Sequence, residues 1–445
     1  MSKTKSLFIC AQCDYKSLKW LGCCPECNGW STFQENILTD NLVKKSSHKK
    51  IELTQLHTVS STNIPRLLTG IGEWDRVMGG GIMPYSLVIL TGDPGIGKST
   101  LLLQVCNALA SQYRVFYFST EESLNQVKQR ADRVGCLETN LLFSDNADLE
   151  SIINVATQEK PDVLIIDSIQ NCYTSDTQTY PGSVGQLRES AFQLMRLAKE
   201  QGVTIILTGH ITKEGNIAGP KTLEHMVDAV FYLQGEDRFE TRVLRSVKNR
   251  FGTVNELGFF EMNSHGLQEV CNINQYLLND ISQAPGSALV SIVEGSRPLL
   301  LEIQALTIES KMAIPQRVIT GIDHKEVVLI AAILEKYLHI RFSGHDIFFK
   351  TSGGFKLKGS TSDLGIALAL LSSYFQQPLP EKTIALGEIS LTGQIKPINQ
   401  INIFAKEAEK FGFNNFLISA NQKLDPINAQ VKRYNNVYEL LALFS

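Results

Sequence analysis

Nine consecutive residues, Gly92-Asp93-Pro94-Gly95-Ile96-Gly97-Lys98-Ser99-Thr100, constrain this chain more than any other stretch of it. They match G-x-x-x-x-G-K-[ST], a loop whose glycines let backbone N–H groups curl around phosphates. The flanks fit the same reading. Leu87-Val88-Ile89-Leu90 reads as a buried strand, and Leu101, Leu102, Val105 and Leu109 give the following helix an apolar face. The helix N-terminus adds a dipole that favours negative charge. Lys98 is expected to reach the β- and γ-phosphates and Ser99 to ligate Mg²⁺. The chain is therefore expected to bind and hydrolyse a nucleoside triphosphate, ATP in the first instance. What that hydrolysis drives must be read elsewhere.

At 445 residues the chain predicts two or three domains. A composition of 43% hydrophobic and 20% charged residues is that of a globular protein. The net charge of −3 gives no global basic footprint, so any nucleic-acid contact must be local. No apolar run approaches a membrane span, and Met1-Ser2-Lys3-Thr4-Lys5 leads into cysteines rather than an apolar signal segment. The expected compartment is the cytoplasm. Thiols are reduced there, and clustered cysteines point to metal.

Such a cluster stands at the front. Cys10-x-x-Cys13 and Cys24-x-x-Cys27 supply four thiolates for tetrahedral Zn²⁺, with no position left open for catalysis. Residues 1–33 are too few to build a core, so the metal would be their main source of fold energy. Trp20, Trp30 and Phe33 are candidates to cover the site, and Cys23 is a spare. Residues 34–61, with Lys44-Lys45-Ser46-Ser47-His48-Lys49-Lys50, read as a linker.

From about residue 62 to 270, strands and helices alternate. Val115–Phe118, Leu141–Phe143, Val163–Ile166 and Val203–Leu207 read as strands. Leu124–Val134, Leu149–Glu159 and Gln186–Glu200 read as helices between them. This pattern predicts an α/β domain with a mostly parallel sheet, covered on both faces, and ligands at the strands' carboxyl ends. Asp167 ends the run Val163-Leu164-Ile165-Ile166 and is expected to hold Mg²⁺ as a Walker-B aspartate does. Glu121 and Glu122 follow another strand. One of them can orient or deprotonate the attacking water, Glu121 being preferred; alternatively both simply open the next helix. His210 either senses the γ-phosphate or is a core histidine.

Gly70-Ile-Gly-Glu-Trp-Asp-Arg-Val-Met-Gly-Gly-Gly81, the phosphate loop and Ser119-Thr-Glu-Glu-Ser123 together resemble the RecA/KaiC-type ATPases. With the cysteine knuckle in front and Lys248-Asn249-Arg250-Phe251-Gly252 behind, nearly the whole chain resembles the bacterial RadA family. That resemblance implies a RecA-like P-loop core and a DNA-dependent ATPase assembling as a hexameric ring. It further implies a DnaB-like helicase that drives branch migration of recombination intermediates in DNA repair and acts with RecA. The alternatives are a KaiC-like ATPase acting on protein partners and a Lon-type protease.

Arg242, Arg245, Lys248 and Arg250 fall within nine residues. In RecA-type rings a loop late in one core reaches the neighbour's phosphates. Lys248 and Arg250 are candidates for that pair, with Arg250 as an arginine finger; the other reading places Lys248–Gly252 on DNA backbone. Two further loops, Asn171–Gly185 and Ile211–Lys221 with Lys213 and Lys221, follow strand ends. They are expected to line a ring's channel and hold single-stranded DNA without reading its sequence.

Residues 275–445 carry no second phosphate loop. Strands at Ala288–Val293 and Leu299–Gln304, with helices at Val327–Leu338 and Asp363–Phe375, predict an α+β domain. Gly353–Leu371 and Gly387–Pro397 resemble the proteolytic domain of Lon, which cuts with a serine–lysine dyad. In that register Asp363 stands at the nucleophile, and Asn402 and Phe404 at the two possible lysine positions. Neither Asn nor Phe can serve as the base, and Ser360 and Ser362 are out of register on a helical turn. The domain is expected to be a proteolytically inactive scaffold, with Arg317, Lys350, Lys356 and Lys358 as candidate DNA contacts.

Overall fold

A computed structural model describes residues 5–13, 15–38, 55, 57, 64–174, 182–210, 222–235, 241–254, 256–279, 281, 283–352, 355–357 and 359–444. The chain divides into two compact units, Met1–Ile64 and Pro65–Ser445.

In the first unit, β1 (Lys5–Cys10) pairs antiparallel with β2 (Lys16–Ser17) and β3 (Phe33–Leu38). Among the described residues its buried apolar cluster is Cys10, Cys24 and Phe33, with Phe8, Cys13 and Leu21 packed against it.

The second unit opens with α1 (Gly72–Val77) and a sheet that positions the nucleotide loop. Its strands are β4 (Leu87–Gly92), β5 (Val115–Ser119), β6 (Leu141–Ser144), β7 (Val163–Asp167), β8 (Thr204–His210), β9 (Ala229–Gly235), β10 (Thr241–Asn249), β11 (Leu257–Asn263) and β12 (Gly266–Glu269). Across the sheet the order is β12-β11-β10-β9-β4-β8-β7-β5-β6. From β9 to β6 the neighbours run parallel, as expected. The β9–β12 edge is antiparallel, which the sequence reading missed.

The helices are α2 (Lys98–Ala110), α3 (Leu124–Arg133), α4 (Leu149–Glu159), α5 (Val184–Gln201) and α6 (Thr222–Met226). Every residue of β4 is buried because helices cover both faces. Val88 and Leu90 share a cluster with Leu101, Leu102 and Val105 of α2. Leu87 and Ile89 share the opposite cluster with Ile152 of α4 and Leu187 and Leu194 of α5. Local signals set the helix ends. Ser123 and Gln126 form a capping box on α3, Asp148 caps α4 through Ser151 N (3.2 Å), and Gly202 closes α5 in the left-handed conformation.

Beyond α7 (Ile273–Leu278), the strands β13 (Ser287–Glu294), β14 (Arg297–Glu309), β15 (Arg317–Thr320) and β16 (His345–Thr351) form a sheet of order β13-β14-β16-β15. Strands β17 (Thr383–Leu386), β20 (Asn415–Ser419) and β21 (Gln430–Tyr434) form a second, parallel sheet; β18 (Glu388–Ile389) and β19 (Ile395–Lys396) pair by themselves. Helices α8 (His324–Leu338), α9 (Asp363–Phe375) and α10 (Ile401–Lys410) complete an α+β domain. Residues 363–373 of α9 are all buried, making it the central helix of the domain.

The two parts of this unit share one core. Val243, Leu257 and Phe259 of β10 and β11 join the cluster that contains Val290, Leu301 and Leu364. Over the seam, Arg297 holds Glu73 of α1 by two hydrogen bonds, 2.7 and 3.2 Å. Glu73 also accepts from Phe259 N (2.9 Å) and pairs with Arg76. Arg245 pairs with Glu294 at 3.2 Å. Among the described residues no helix is long and apolar enough to cross a membrane.

Candidate functional site

The nucleotide site is built at the carboxyl end of β4. Strand pairing sets Gly92 opposite His210 of β8 and Leu233 of β9. Gly92 and Gly97 have φ of +153° and +112°. A Cβ at Gly92 would lie 2.2 Å from Leu233 O, and one at Gly97 would lie 2.7 Å from Met262 Cε. Only glycine suits both positions. At Gly95 a Cβ would meet nothing within 4 Å, so the loop is open on one side. Lys98 begins α2, is 6% exposed, and donates from Nζ to Gly92 O (2.9 Å) and Asp93 O (3.0 Å). Burial lowers its pKa; Asp167, Glu121 and Asp93 oppose that shift. A buried ammonium inside an open backbone cradle at a helix N-terminus fits the phosphates of ATP.

Asp167 ends β7 and is 9% exposed. Its Oδ1 accepts from Thr208 Oγ1 and its Oδ2 from the Tyr117 hydroxyl, both at 2.6 Å. Three adjacent strands thus hold one carboxylate. Burial, and then the Asp167 charge, raise the Tyr117 pKa well above its ordinary value, so the phenol stays protonated as a donor. Tyr117 and Thr208 escaped sequence reasoning. Their signal, a tyrosine and a threonine in the strands flanking the Walker-B strand, is too common to stand out. Ser99, the second residue of α2, and Asp167 are the side chains that would hold Mg²⁺, which when bound neutralises phosphate charge.

The two candidate bases diverge. The Ser168 hydroxyl donates to Glu121 Oε1, which keeps Glu121 beside the end of β7. Glu122 instead pairs with Arg130 of α3 at 2.6 Å. Thr120 Oγ1 accepts from Ser168 N (2.8 Å) and donates to Ser168 O (2.7 Å), tying this turn to the Walker-B strand. His210 closes β8 opposite Gly92; its side chain lies outside the described residues, as do Lys213 and Lys221.

The basic cluster of the sequence is not a cluster in space. It lies along β10 and one residue past its end, where eight residue steps at about 3.3 Å separate Arg242 from Arg250 by up to roughly 26 Å. Arg242 is at the nucleotide end and donates to Ile96 O at 3.3 Å. Arg245 sits mid-strand on Glu294. Lys248 turns inward: its Nζ donates to Val227 O (2.7 Å) and Glu224 O, and burial followed by Arg250 lowers its pKa. Asn249 is buried, donating to Met78 O (3.2 Å) and accepting from Phe251 N (2.9 Å). Phe251 O accepts from Arg66, and a Cβ at Gly252 would stand 3.0 Å from Gly79 Cα. Within this motif Asn249 and Gly252 therefore pack the loop against the Gly79–Gly81 turn. Arg250 alone keeps a largely exposed charged group, 58% by side chain, resting on Asp228 Oδ1 at 3.3 Å.

In the first unit the sulfurs of Cys10, Cys13, Cys24 and Cys27 all lie within 4.8 Å of one another. Cys10–Cys27 and Cys13–Cys24 are 3.6 and 3.4 Å apart. Tetrahedral zinc with bonds of about 2.3 Å requires sulfurs about 3.8 Å apart, so the four residues fit Zn²⁺. Cys23 is outside the group. The expected aromatic cover is one residue: Phe33 packs on Cys10 and Cys24, whereas Trp20 and Trp30 are 56% and 78% exposed.

In the C-terminal domain Asp363 Oδ2 accepts from Ile389 N (3.0 Å). Burial, aided by Glu326 and Glu388, pushes its pKa up to about 7. Asn402 Oδ1 accepts from Asp425 N (3.0 Å), and Phe404 is buried in the core. Ser360 donates to Glu388 (2.9 Å), and the buried Ser362 hydroxyl has no partner among the described residues. Arg317 is partly buried: its guanidinium donates to Phe342 O (2.8 Å) and Gln316 O (3.1 Å), and burial lowers its pKa. Lys350 and Lys356 are exposed; Lys358 lies outside the described residues.

Family models match three separate stretches of the chain. Residues 8–35 match a rubredoxin metal binding domain, 60–216 an AAA domain, and 324–422 subunit ChlI of Mg-chelatase. A solved ATPase domain of another protein aligns at TM-score 0.42 and 16% identity, over 47% of this chain and 93% of that one. The chain is 43% identical over 429 residues to the DNA repair protein RadA of Bacillus subtilis, covering 94% of this chain and 93% of the relative. It is 42% identical over 457 residues to RadA of Streptococcus pyogenes serotype M6, with both chains covered in full. A zinc ribbon, a P-loop ATPase core and a Lon-like α+β domain in this order, with identity of that extent, mean that the chain belongs to the RadA family.

Proposed function

We propose that this protein is a DNA-dependent ATPase of DNA repair that works as a hexameric ring helicase and drives branch migration of recombination intermediates together with RecA. The observation that carries the reading is the position of Arg250. Its backbone N–H donates to Asp228 O (3.2 Å), and Asp228 in turn is bonded to Leu87, at the start of the phosphate-loop strand. Leu87 lies five residues, about 17 Å at ~3.3 Å per residue, from Gly92. An arginine side chain cannot span that distance back to its own nucleotide. If Arg250 serves as an arginine finger, it serves another subunit's site, which demands an assembly that repeats head to tail.

In this reading Lys98 holds the phosphates, Asp167 and Ser99 hold Mg²⁺, and Glu121 accepts the proton of the attacking water. The segments after β7 and β8, with Lys213 and Lys221, hold single-stranded DNA. Both strands end beside the nucleotide, so a change there reaches those segments directly. The C-terminal domain serves as scaffold. Mixing inactive Arg250→Ala with inactive Lys98→Ala subunits tests the reading: one site in such a ring has both a good loop and a good finger, so ATPase activity returns in part. No return in demonstrably mixed assemblies overturns the trans role. Joint-molecule assays with and without RecA test the DNA substrate; wild-type branch migration by Lys98→Ala would overturn the motor.

A further inference from the structure

Asp228 is a buried carboxylate that none of the roles above uses. It lies just before β9, and its side chain is 7% exposed. Three groups converge on it. Leu87 N donates to Oδ2 at 3.1 Å, Lys199 Nζ of α5 reaches the same oxygen at 2.9 Å, and Arg250 NH1 reaches Oδ1 at 3.3 Å. The backbone repeats the pattern. Asp228 N donates to Leu87 O (2.8 Å) and Asp228 O accepts from Arg250 N (3.2 Å).

These contacts have different strengths. Leu87 N and Lys199 converge on Oδ2 and fix the carboxylate in place. Oδ1 is left for the guanidinium, which touches it through one nitrogen. The arginine side chain is otherwise 58% exposed. A guanidinium carries five N–H donors in a rigid fork, so one nitrogen can be held while the other meets a phosphate.

We infer that Asp228 is the positioning residue that aims Arg250 at the nucleotide of a neighbouring subunit. The inference rests on the trans reading of Arg250 above and adds the residue that makes it effective. Without Asp228 the arginine samples many rotamers, and the finger must be ordered anew in each catalytic cycle. A misplacement of about 1 Å costs on the order of a hundredfold in rate. Lys199 plays a different part, holding Oδ2 while Oδ1 is left for the finger.

The test uses the full chain. Asp228→Asn keeps an oxygen for Leu87 N but loses the charge that holds Arg250. The expected result is a fall in kcat of about ten- to a hundredfold with the KM for ATP within about twofold. Combining it with Arg250→Ala should bring no further fall, because both act through one group. Asp228→Asn mixed with Lys98→Ala should regain activity, because the asparagine subunit still offers a sound phosphate loop. If that mixture fails while Arg250→Ala with Lys98→Ala succeeds, Asp228 acts within its own subunit and the inference is overturned. If both mixtures fail in mixed assemblies, the trans reading itself is what fails. Should Asp228→Asn not fold, Asp228→Glu keeps the charge and moves it by one methylene. A kcat equal to wild type in that variant would also overturn the inference.

Discussion

Glu121 and Glu122 are neighbours of the same chemistry, and their surroundings predict opposite results for the same substitution. In Glu121→Gln the amide oxygen still accepts from the Ser168 hydroxyl, so the turn after β5 keeps its shape. What is lost is a charge next to Lys98 and a group able to take a proton. Removal of a general base costs typically 10²–10⁴ in rate. At about 1.4 kcal/mol per tenfold, that is roughly 3–6 kcal/mol in the barrier. ATP binding, which depends on the phosphate loop, should stay close to wild type. Glu122→Gln breaks a pair with Arg130 whose side chains are 33% and 23% exposed. Such a pair is worth about 0.2–1 kcal/mol of stability, and its loss should leave turnover within about twofold. Steady-state ATPase rates with saturating single-stranded DNA, beside equilibrium nucleotide binding for each variant, separate these outcomes. A Glu122→Gln enzyme as slow as expected for Glu121→Gln, with Glu121→Gln turning over normally, would refute the assignment.

Arg297→Ala should destabilise the second unit by about 3 kcal/mol, the low end for breaking a buried pair, because Arg76 and Phe259 N still serve Glu73. A loss below ~1 kcal/mol in denaturant unfolding would mean that the pair contributes no more than a surface one. Chelation of zinc, or Cys24→Ser, should unfold residues 1–33 and leave nucleotide binding intact; circular dichroism and nucleotide titration on the same sample check both halves. Asp363 has a folded pKa raised to about 7, against about 3.9 when unfolded, so the native state binds the extra proton between those values. Its contribution is therefore favourable at low pH and is lost as pH rises through 7. Asp363→Asn, which keeps an acceptor for Ile389 N, should gain in Tm relative to wild type between pH 5 and 8; a constant difference across that range would contradict the burial argument.

What could be read in the sequence was whatever depends on near neighbours. The phosphate loop is a local motif, and its strand and helix follow at fixed offsets. The span Leu149–Glu159 matches α4 at both ends because Asp148 caps it and apolar spacing continues to the last turn. The two Cys-x-x-Cys pairs were legible because metal geometry fixes the spacing. The antiparallel edge was not legible. In β10 the basic residues fall at every third position, 242, 245 and 248, across a register irregularity between Ser246 and Lys248, so the period-two alternation of a strand does not show. Reading Arg242, Arg245, Lys248 and Arg250 as one patch treated closeness along the chain as closeness in space. An extended strand carries such residues apart. Here it carries one to the loop of its own site and another to the far end of the sheet. Asp228 was invisible for the complementary reason: its partners lie 141 residues before it, at Leu87, and 22 residues after it, at Arg250.

The shared core of β10, β11 and the C-terminal domain bears on how this molecule can be shortened. A chain ending near residue 270 would keep the phosphate loop, Glu121, Asp167 and Arg250. It would also bare Val243, Leu257 and Phe259 to water and leave Glu73 without Arg297. Those losses fall on the strands that hold Arg242 against the phosphate loop and Arg250 at the opposite end. The C-terminal domain is thus the foundation on which the outer strands of the ATPase core are laid, and a minimal ATPase would have to carry it or replace that apolar surface residue by residue.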